Sequence, residues 1–328
     1  MTNTGFTGLG VALATPFHVP ARAADRSAQQ GSSQFDKHAR PQRPSIDYPA
    51  FRKLVEHVRR GGVDYLVVLG STGEAATITD QERTALVELA VRCAGDLPVV
   101  VGVGHQDTER TCDWAASAAA AGASGLLVVT PFYNKPQPAG LVAHFQRIAD
   151  EVPGMPIIAY NVPGRTGLNL DPATLGQLWD IPEIVAIKES SGDLRQIIAM
   201  CLQAPTGKHV IAGDDDLAVP AIAVGARGLI SVCANVAPAD TAAMVSCALA
   251  SDLDGARRWL SRLAPLMSAM FAETNPVPVK AGLAAIGIGT GMVRAPLAAA
   301  EPGTWAAVHA ALADLQPQRA PRLTGAAS

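Results

Sequence analysis

Tyr160-Asn161-Val162-Pro163-Gly164-Arg165-Thr166-Gly167 is followed, after one short helical segment, by Ile184-Val185-Ala186-Ile187-Lys188-Glu189-Ser190-Ser191-Gly192. The first run leaves a strand through a Pro/Gly turn, and the second is a wholly apolar strand that ends on a lysine. Continuous apolar strands belong to parallel sheets covered on their faces, and the intervening helix supplies the crossover. The same unit recurs along the chain. Strands are expected from Gly8 to Ala14 and at Tyr65 to Leu69, Val99 to Gly102, Gly125 to Val129, Ile157 to Tyr160, Ile184 to Lys188, Val210 to Ala212 and Leu229 to Val232. Amphipathic stretches separate them, the first N-capped by Asp47 with Phe51, Leu54, Val55 and Val58 on one face, and others at Asp80 to Cys93, Thr108 to Ala121 and Ala139 to Asp150. Eight such units in about 250 residues predict a closed (β/α)8 TIM barrel over an open doubly wound sheet.

Residues 1–251 therefore read as the barrel and 252–328 as a small C-terminal helical extension, with Gln316 to Ser328 a frayed tail. Positions 18–45 carry Ala, Arg, Gln, Ser and Pro with almost no large aliphatic side chain, too little to offset the entropy of ordering. They read as an irregular, mobile insertion after the first strand.

The 328-residue chain is 48% apolar, enough for a large core, and its net charge of −3 provides no basic field for nucleic acid or an anionic membrane. The N-terminus lacks a signal-peptide pattern, and no run of about 18 residues is apolar enough to span a bilayer, so a cytoplasmic protein is expected. Cys93, Cys112, Cys201, Cys233 and Cys247 are odd in number and widely spaced, and they read as reduced core residues. Neither they nor the seven histidines show a metal-ligand spacing, so no metal is expected.

In a barrel, residues at the C-terminal strand ends converge on one mouth. Thr15, Ser71, Thr72, Glu74, Tyr133, Tyr160, Arg165, Lys188, Gly213 and Ile230 are the candidates. Burial disfavours an ammonium and favours the neutral amine that attacks a ketone, which makes a lysine on an apolar strand a candidate nucleophile. Gly70-Ser71-Thr72-Gly73-Glu74 places two hydroxyls and flanking amides where they can face a carboxylate, or can simply cap a βα turn. Tyr133, in Thr130-Pro131-Phe132-Tyr133-Asn134-Lys135-Pro136, can transfer protons or pack with a wet hydroxyl. Arg165 can hold a substrate carboxylate or pair with a local acid.

Taken in this order, these stretches resemble the family of pyruvate-dependent class I aldolases and lyases, from Gly8 to about Pro296, and within it the dihydrodipicolinate synthase branch. The matching motifs are Pro131-Phe132-Tyr133-Asn134, Tyr160 to Gly167, Ile187-Lys188-Glu189, Gly213-Asp214-Asp215 and Asn275-Pro276-Val277-Pro278-Val279-Lys280. The resemblance implies that Lys188 forms a Schiff base with pyruvate and Tyr160 shuttles protons. It implies that Ser71 and Tyr133 complete a hydroxyl relay, the Tyr133 ring coming from the neighbouring subunit of a tight dimer. Thr72 would hold the pyruvate carboxylate, Gly213 and Ile230 would line the pyruvate pocket, and Arg165 would hold the carboxylate of aspartate semialdehyde. Sugar-acid lyases of the family usually lack an arginine at this place. The implied assembly is a homotetramer of tight dimers, with no metal or organic cofactor because the protonated imine is the electron sink.

Two departures stand out. Ser71 stands where most synthases carry threonine; the hydroxyl survives without the methyl that restricts its rotamer. Lysine-inhibited members bind lysine near the positions of Ala75, Ala76, Asp80, Arg83, Gln106, Arg110 and Phe132. Arg110 there replaces an acidic residue, Arg83 a histidine and Phe132 a tyrosine, so weak or absent inhibition by lysine is expected. The competing readings are an aldolase, lyase or dehydratase acting on a sugar acid or hydroxy-oxo acid, and a non-catalytic binding protein on this scaffold.

Overall fold

The computed structural model describes residues 6–19 and 43–315. The body of the 18–45 insertion and the expected tail from Gln316 lie outside the described residues. The strands are β1 (Gly8–Ala12), β2 (Phe17–His18), β3 (Ser45–Ile46), β4 (Tyr65–Val68), β5 (Val99–Gly102), β6 (Gly125–Val129), β7 (Ile157–Asn161), β8 (Ile184–Glu189), β9 (His209–Ala212) and β10 (Gly228–Ser231). Eight of them close a parallel barrel in the order β1-β10-β9-β8-β7-β6-β5-β4, and this is the TIM barrel that the repeating pattern predicts. Sequential barrel strands pair throughout, in keeping with the tendency of consecutive elements to lie side by side.

Strand periodicity sorts the side chains into two layers. Ala12, Tyr65, Val67, Val100, Leu127, Ile158, Tyr160, Ala186, Ile211 and Ile230 fill the barrel interior. Alternate residues such as Leu66, Val101, Leu126, Ala159 and Ile187 face outward into the helical shell. The Tyr48–Arg60 helix forms as its sequence dictates: Asp47 accepts from the Ala50 N–H at 2.9 Å, and Phe51, Leu54, Val55 and Val58 are buried.

Strand boundaries differ from the expectation by one or two residues in β1, β4, β7, β8, β9 and β10, and three of these shifts have a local reason. The first strand ends at Ala12 because the Ala14 N–H turns to the side-chain Oδ1 of Asn235 at 3.0 Å. β4 stops at Val68 because Leu69 adopts φ +59°, outside the strand region. β10 begins at Gly228, where backbones pass so closely that a Cβ would lie 2.1 Å from the Gly8 carbonyl oxygen. The short β2–β3 antiparallel ribbon has too few residues to show a period, and it joins the two ends of the insertion through the pairs Phe17/Ile46 and His18/Ser45.

After the barrel come the helices Leu253–Met270, Val277–Ala285 and Pro302–Leu315. A buried ion pair is one of the polar contacts by which this extension reaches the barrel mouth. Lys280, 2% exposed, bonds to Glu74 Oε1 and donates to the Met292 carbonyl at 2.8 Å, while Glu74 Oε2 accepts from the Arg294 N–H at 2.9 Å. Burial pulls the Lys280 ammonium down to about 8 against the opposing attraction of Glu74. Arg294 continues the network as a fork onto Glu82 at 2.8 and 2.5 Å and as a donor to the Thr77 carbonyl at 2.9 Å.

Removing one member of a buried pair strands the other charge. Lys280→Met should lower unfolding free energy by about 3–5 kcal/mol, read by denaturant titration, and adding Glu74→Gln should recover part of that loss.

Candidate active site

Strand parity and register build the centre of the site. Tyr160 on β7 and Lys188 on β8 are register partners, and both fall on the inward-facing phase of their strands. Neighbouring strands lie about 4.8 Å apart, so two inward side chains at one level must meet. The Lys188 Nζ sits 4.3 Å from the Tyr160 ring centroid, and the two residues are 4% and 6% exposed. One position further on, Asn161 and Glu189 are partners as well. There Asn161 Nδ2 donates to Glu189 Oε2 at 2.9 Å and the Leu170 N–H donates to Asn161 Oδ1, which fixes the loop leaving β7.

A cavity of about 80 Å³ surrounds the lysine. Ser71, Thr72, Tyr160, Arg165, Lys188 and Gly213 line it, so six of the eight residues to which the resemblance gives a role converge. Gly213 is there because nothing larger fits: a Cβ would lie 1.8 Å from Ser190 Oγ and 2.8 Å from Lys188 Cε. Ile230 lies deeper, fully buried in the barrel interior, and Val232 lines the cavity instead. Tyr133 is 87% exposed at φ +69° and does not line its own chain's cavity.

The hydroxyl loop is held from behind. Thr15 Oγ1 donates to the Gly73 carbonyl at 2.8 Å. Glu74, at φ +53°, lines the outer cleft and commits its carboxylate to the Lys280 pair. Thr72 Oγ1 accepts from Asn275 Nδ2 at 3.0 Å, and Arg165 Nη2 donates to the Asn275 carbonyl at 2.9 Å. Burial pushes the Asp214 carboxyl up to about 6, opposed by the nearby Lys188 ammonium. Asp215 bonds to Ser231 Oγ and accepts from the Val232 and Cys233 N–H groups, tying the loop after β9 to β10.

Sequence reasoning gave no role to Asn275, Ser190, Asp214 or Asp215. Each stands inside or beside a quoted motif, but nothing in spacing alone separates a wall residue from a turn residue. Outside the inner cavity a cleft of about 330 Å³ continues past Arg165 toward His105, Trp114, Phe132 and Pro296. Beside it Asp80 is held by Arg110 and by the Trp114 Nε1–H at 2.9 Å, and the Arg83 guanidinium stacks 3.7 Å from the Trp114 ring centroid. All five cysteines are free, and among the described residues no cluster of three or more His, Cys, Asp or Glu side chains can hold a metal ion. No helix among the described residues is long and apolar enough to cross a membrane.

A barrel whose C-terminal mouth encloses a strand-end lysine, a phenol, two hydroxyls and an arginine defines a class of lysine-centred barrel enzymes. Residues 37–315 match the sequence profile of the Dihydrodipicolinate synthetase family, and the chain belongs to that family. The 4-hydroxy-tetrahydrodipicolinate synthase of Thermomicrobium roseum is 44% identical over 269 residues, 82% of this chain and 89% of that protein. Among solved structures, a monomeric dihydrodipicolinate synthase variant superposes with a TM-score of 0.86 at 34% identity, covering 95% of this chain and 97% of the other. The chloride-inhibited dihydrodipicolinate synthase of Acinetobacter baumannii complexed with pyruvate has a TM-score of 0.84 at 33% identity, covering 94% and 98%.

Gly213→Ala should displace the Lys188 stem and lower turnover about a hundredfold, the scale on which ångström misplacement acts. Steady-state rates check this, with circular dichroism to establish that the variant stays folded.

Proposed function

We propose that the chain condenses pyruvate with L-aspartate 4-semialdehyde, the reaction of a 4-hydroxy-tetrahydrodipicolinate synthase, a lyase of lysine and diaminopimelate biosynthesis. One observation carries the reading: Lys188 and Tyr160 share a register level inside the barrel, in one cavity with Thr72 and Arg165. The names of the relatives agree with it.

The Lys188 amine attacks the ketone carbon of pyruvate. The carbinolamine loses water to give a protonated imine, with the neighbouring Tyr160 hydroxyl carrying the protons. Loss of a methyl proton gives the enamine, whose carbon attacks the aldehyde. The amino group of the second substrate then adds to the imine carbon, closing the ring and expelling Lys188. The imine withdraws electrons by itself, so the scheme uses no metal or organic cofactor.

Thr72 takes the pyruvate carboxylate in the small inner cavity, and Arg165, at the junction with the outer cleft, takes the carboxylate of the semialdehyde. Gly213 gives the Lys188 stem its room, and Ile230 forms the floor beneath. Ser71 and Tyr133 complete the relay to Tyr160. Tyr133 does so from a neighbouring subunit, in keeping with its exposure on its own chain, in a homotetramer of tight dimers working in the cytoplasm.

Wild-type turnover of the two substrates, coupled to the next reductase in the pathway, should fall at least about tenfold in Arg165→Ala through loss of a charge-assisted contact. A wild type inactive on this pair, with pyruvate still bound to Lys188, would point to a sugar-acid or hydroxy-oxo-acid aldolase, lyase or dehydratase.

Feedback control by lysine is absent or weak in this reading. Asp80 is already engaged by Arg110 and Trp114, and the Arg83 guanidinium stacked on Trp114 repels an incoming ammonium. Initial rates should stay above half at about 1 mM lysine, the concentration matching an affinity near 4 kcal/mol. Half-inhibition below that concentration contradicts it.

A further inference from the structure

Asn275 comes from the segment between the Leu253–Met270 and Val277–Ala285 helices, 203 residues from Thr72 in sequence, and it is 7% exposed. It touches both carboxylate-binding residues, by different atoms. Its side-chain Nδ2 donates to Thr72 Oγ1 at 3.0 Å, and its main-chain carbonyl accepts from Arg165 Nη2 at 2.9 Å. A hydroxyl offers two lone pairs and a single hydrogen. With Nδ2 occupying a lone pair, the Thr72 hydrogen is directed away from Asn275, and Thr72 lines the cavity that holds Lys188. Reversing the amide would take that hydrogen for Oδ1 and bury both Nδ2 hydrogens where Oδ1 now has no partner.

We propose that Asn275 is a positioning residue that sets the Thr72 hydroxyl as a donor to the carboxylate of the oxoacid at Lys188, while its backbone orients Arg165 for the second carboxylate. This rests on the functional reading above. The division between side chain and main chain gives it a signature that a merely structural residue lacks: side-chain substitution acts on one substrate only.

The test is steady-state kinetics with both substrates varied, for wild type, Asn275→Asp, Asn275→Ala, Thr72→Val and the Thr72→Val/Asn275→Ala double variant, with thermal melts of each. An Asp carboxylate can only accept, so it captures the Thr72 hydrogen. Asn275→Asp should raise the pyruvate KM about tenfold or more and leave the semialdehyde KM within about twofold, the scale of one charge-assisted hydrogen bond. Asn275→Ala should show the same split, and in the Thr72→Val background it should add nothing, because the effect passes through Thr72. Should the Asp variant not fold, the Ala variant and the double-variant cycle carry the test. An unchanged pyruvate KM in a folded variant, equal rises in both KM values, or full additivity with Thr72→Val would overturn the proposal. An inactive wild type overturns the functional reading, and this inference with it.

Discussion

The mouth of the barrel depends on the buried pair between Glu74 and Lys280, whose side chains are 2% and 3% exposed. The loop carrying Ser71 and Thr72 would, left to itself, be a flexible βα turn. Glu74 takes the left-handed conformation at its end and commits its carboxylate to Lys280 and the Arg294 N–H of the C-terminal extension. The charge is buried at a cost of desolvation, and it is tolerable only because Lys280 and the Arg294 amide meet it there. That commitment fixes the loop's orientation, and Thr15 holds the Gly73 carbonyl from the other side. The segment between two of these helices then contributes Asn275 to the cavity wall. The extension after the barrel is thus part of the site, joined to it by polar contacts as well as by packing.

Barrel closure supplies the second constraint. Parallel register makes Tyr160 and Lys188 level neighbours, and strand parity points both inward, so their proximity needs no special loop. Space around the lysine is kept by omission: Gly213 leaves room that any Cβ would take from Ser190 and the lysine stem. Rigid strands therefore hold Lys188 and Tyr160, while loops hold Ser71, Thr72 and Arg165, which is the usual division of labour in such barrels.

The fold was legible because eight apolar runs of strand length alternate with amphipathic helices, a pattern that few architectures satisfy. Lys188, Tyr160, Ser71, Thr72, Arg165 and Gly213 were legible for the same reason, since each lies at or just after a strand end. Glu74 was placed at the mouth by that logic and does line the outer cleft, but its carboxylate is held by Lys280, a partner 206 positions away that leaves no mark in the pattern. Ile230 illustrates a similar limit: strand-end position does not say how deep an inward residue sits. Asn275 was invisible as a functional residue because its partners lie 203 and 110 positions away. Tyr133 points to the opposite case, a motif residue that leaves its own chain's cavity untouched.

Covalent capture reports on the lysine itself. The chain is incubated with pyruvate, reduced with borohydride and mapped by peptide mass spectrometry. A reduced pyruvate adduct on Lys188, lost in Lys188→Ala, is the predicted result. An unmodified Lys188 in folded protein, or an adduct on any other lysine, would contradict the assignment of this cavity as a Schiff-base site.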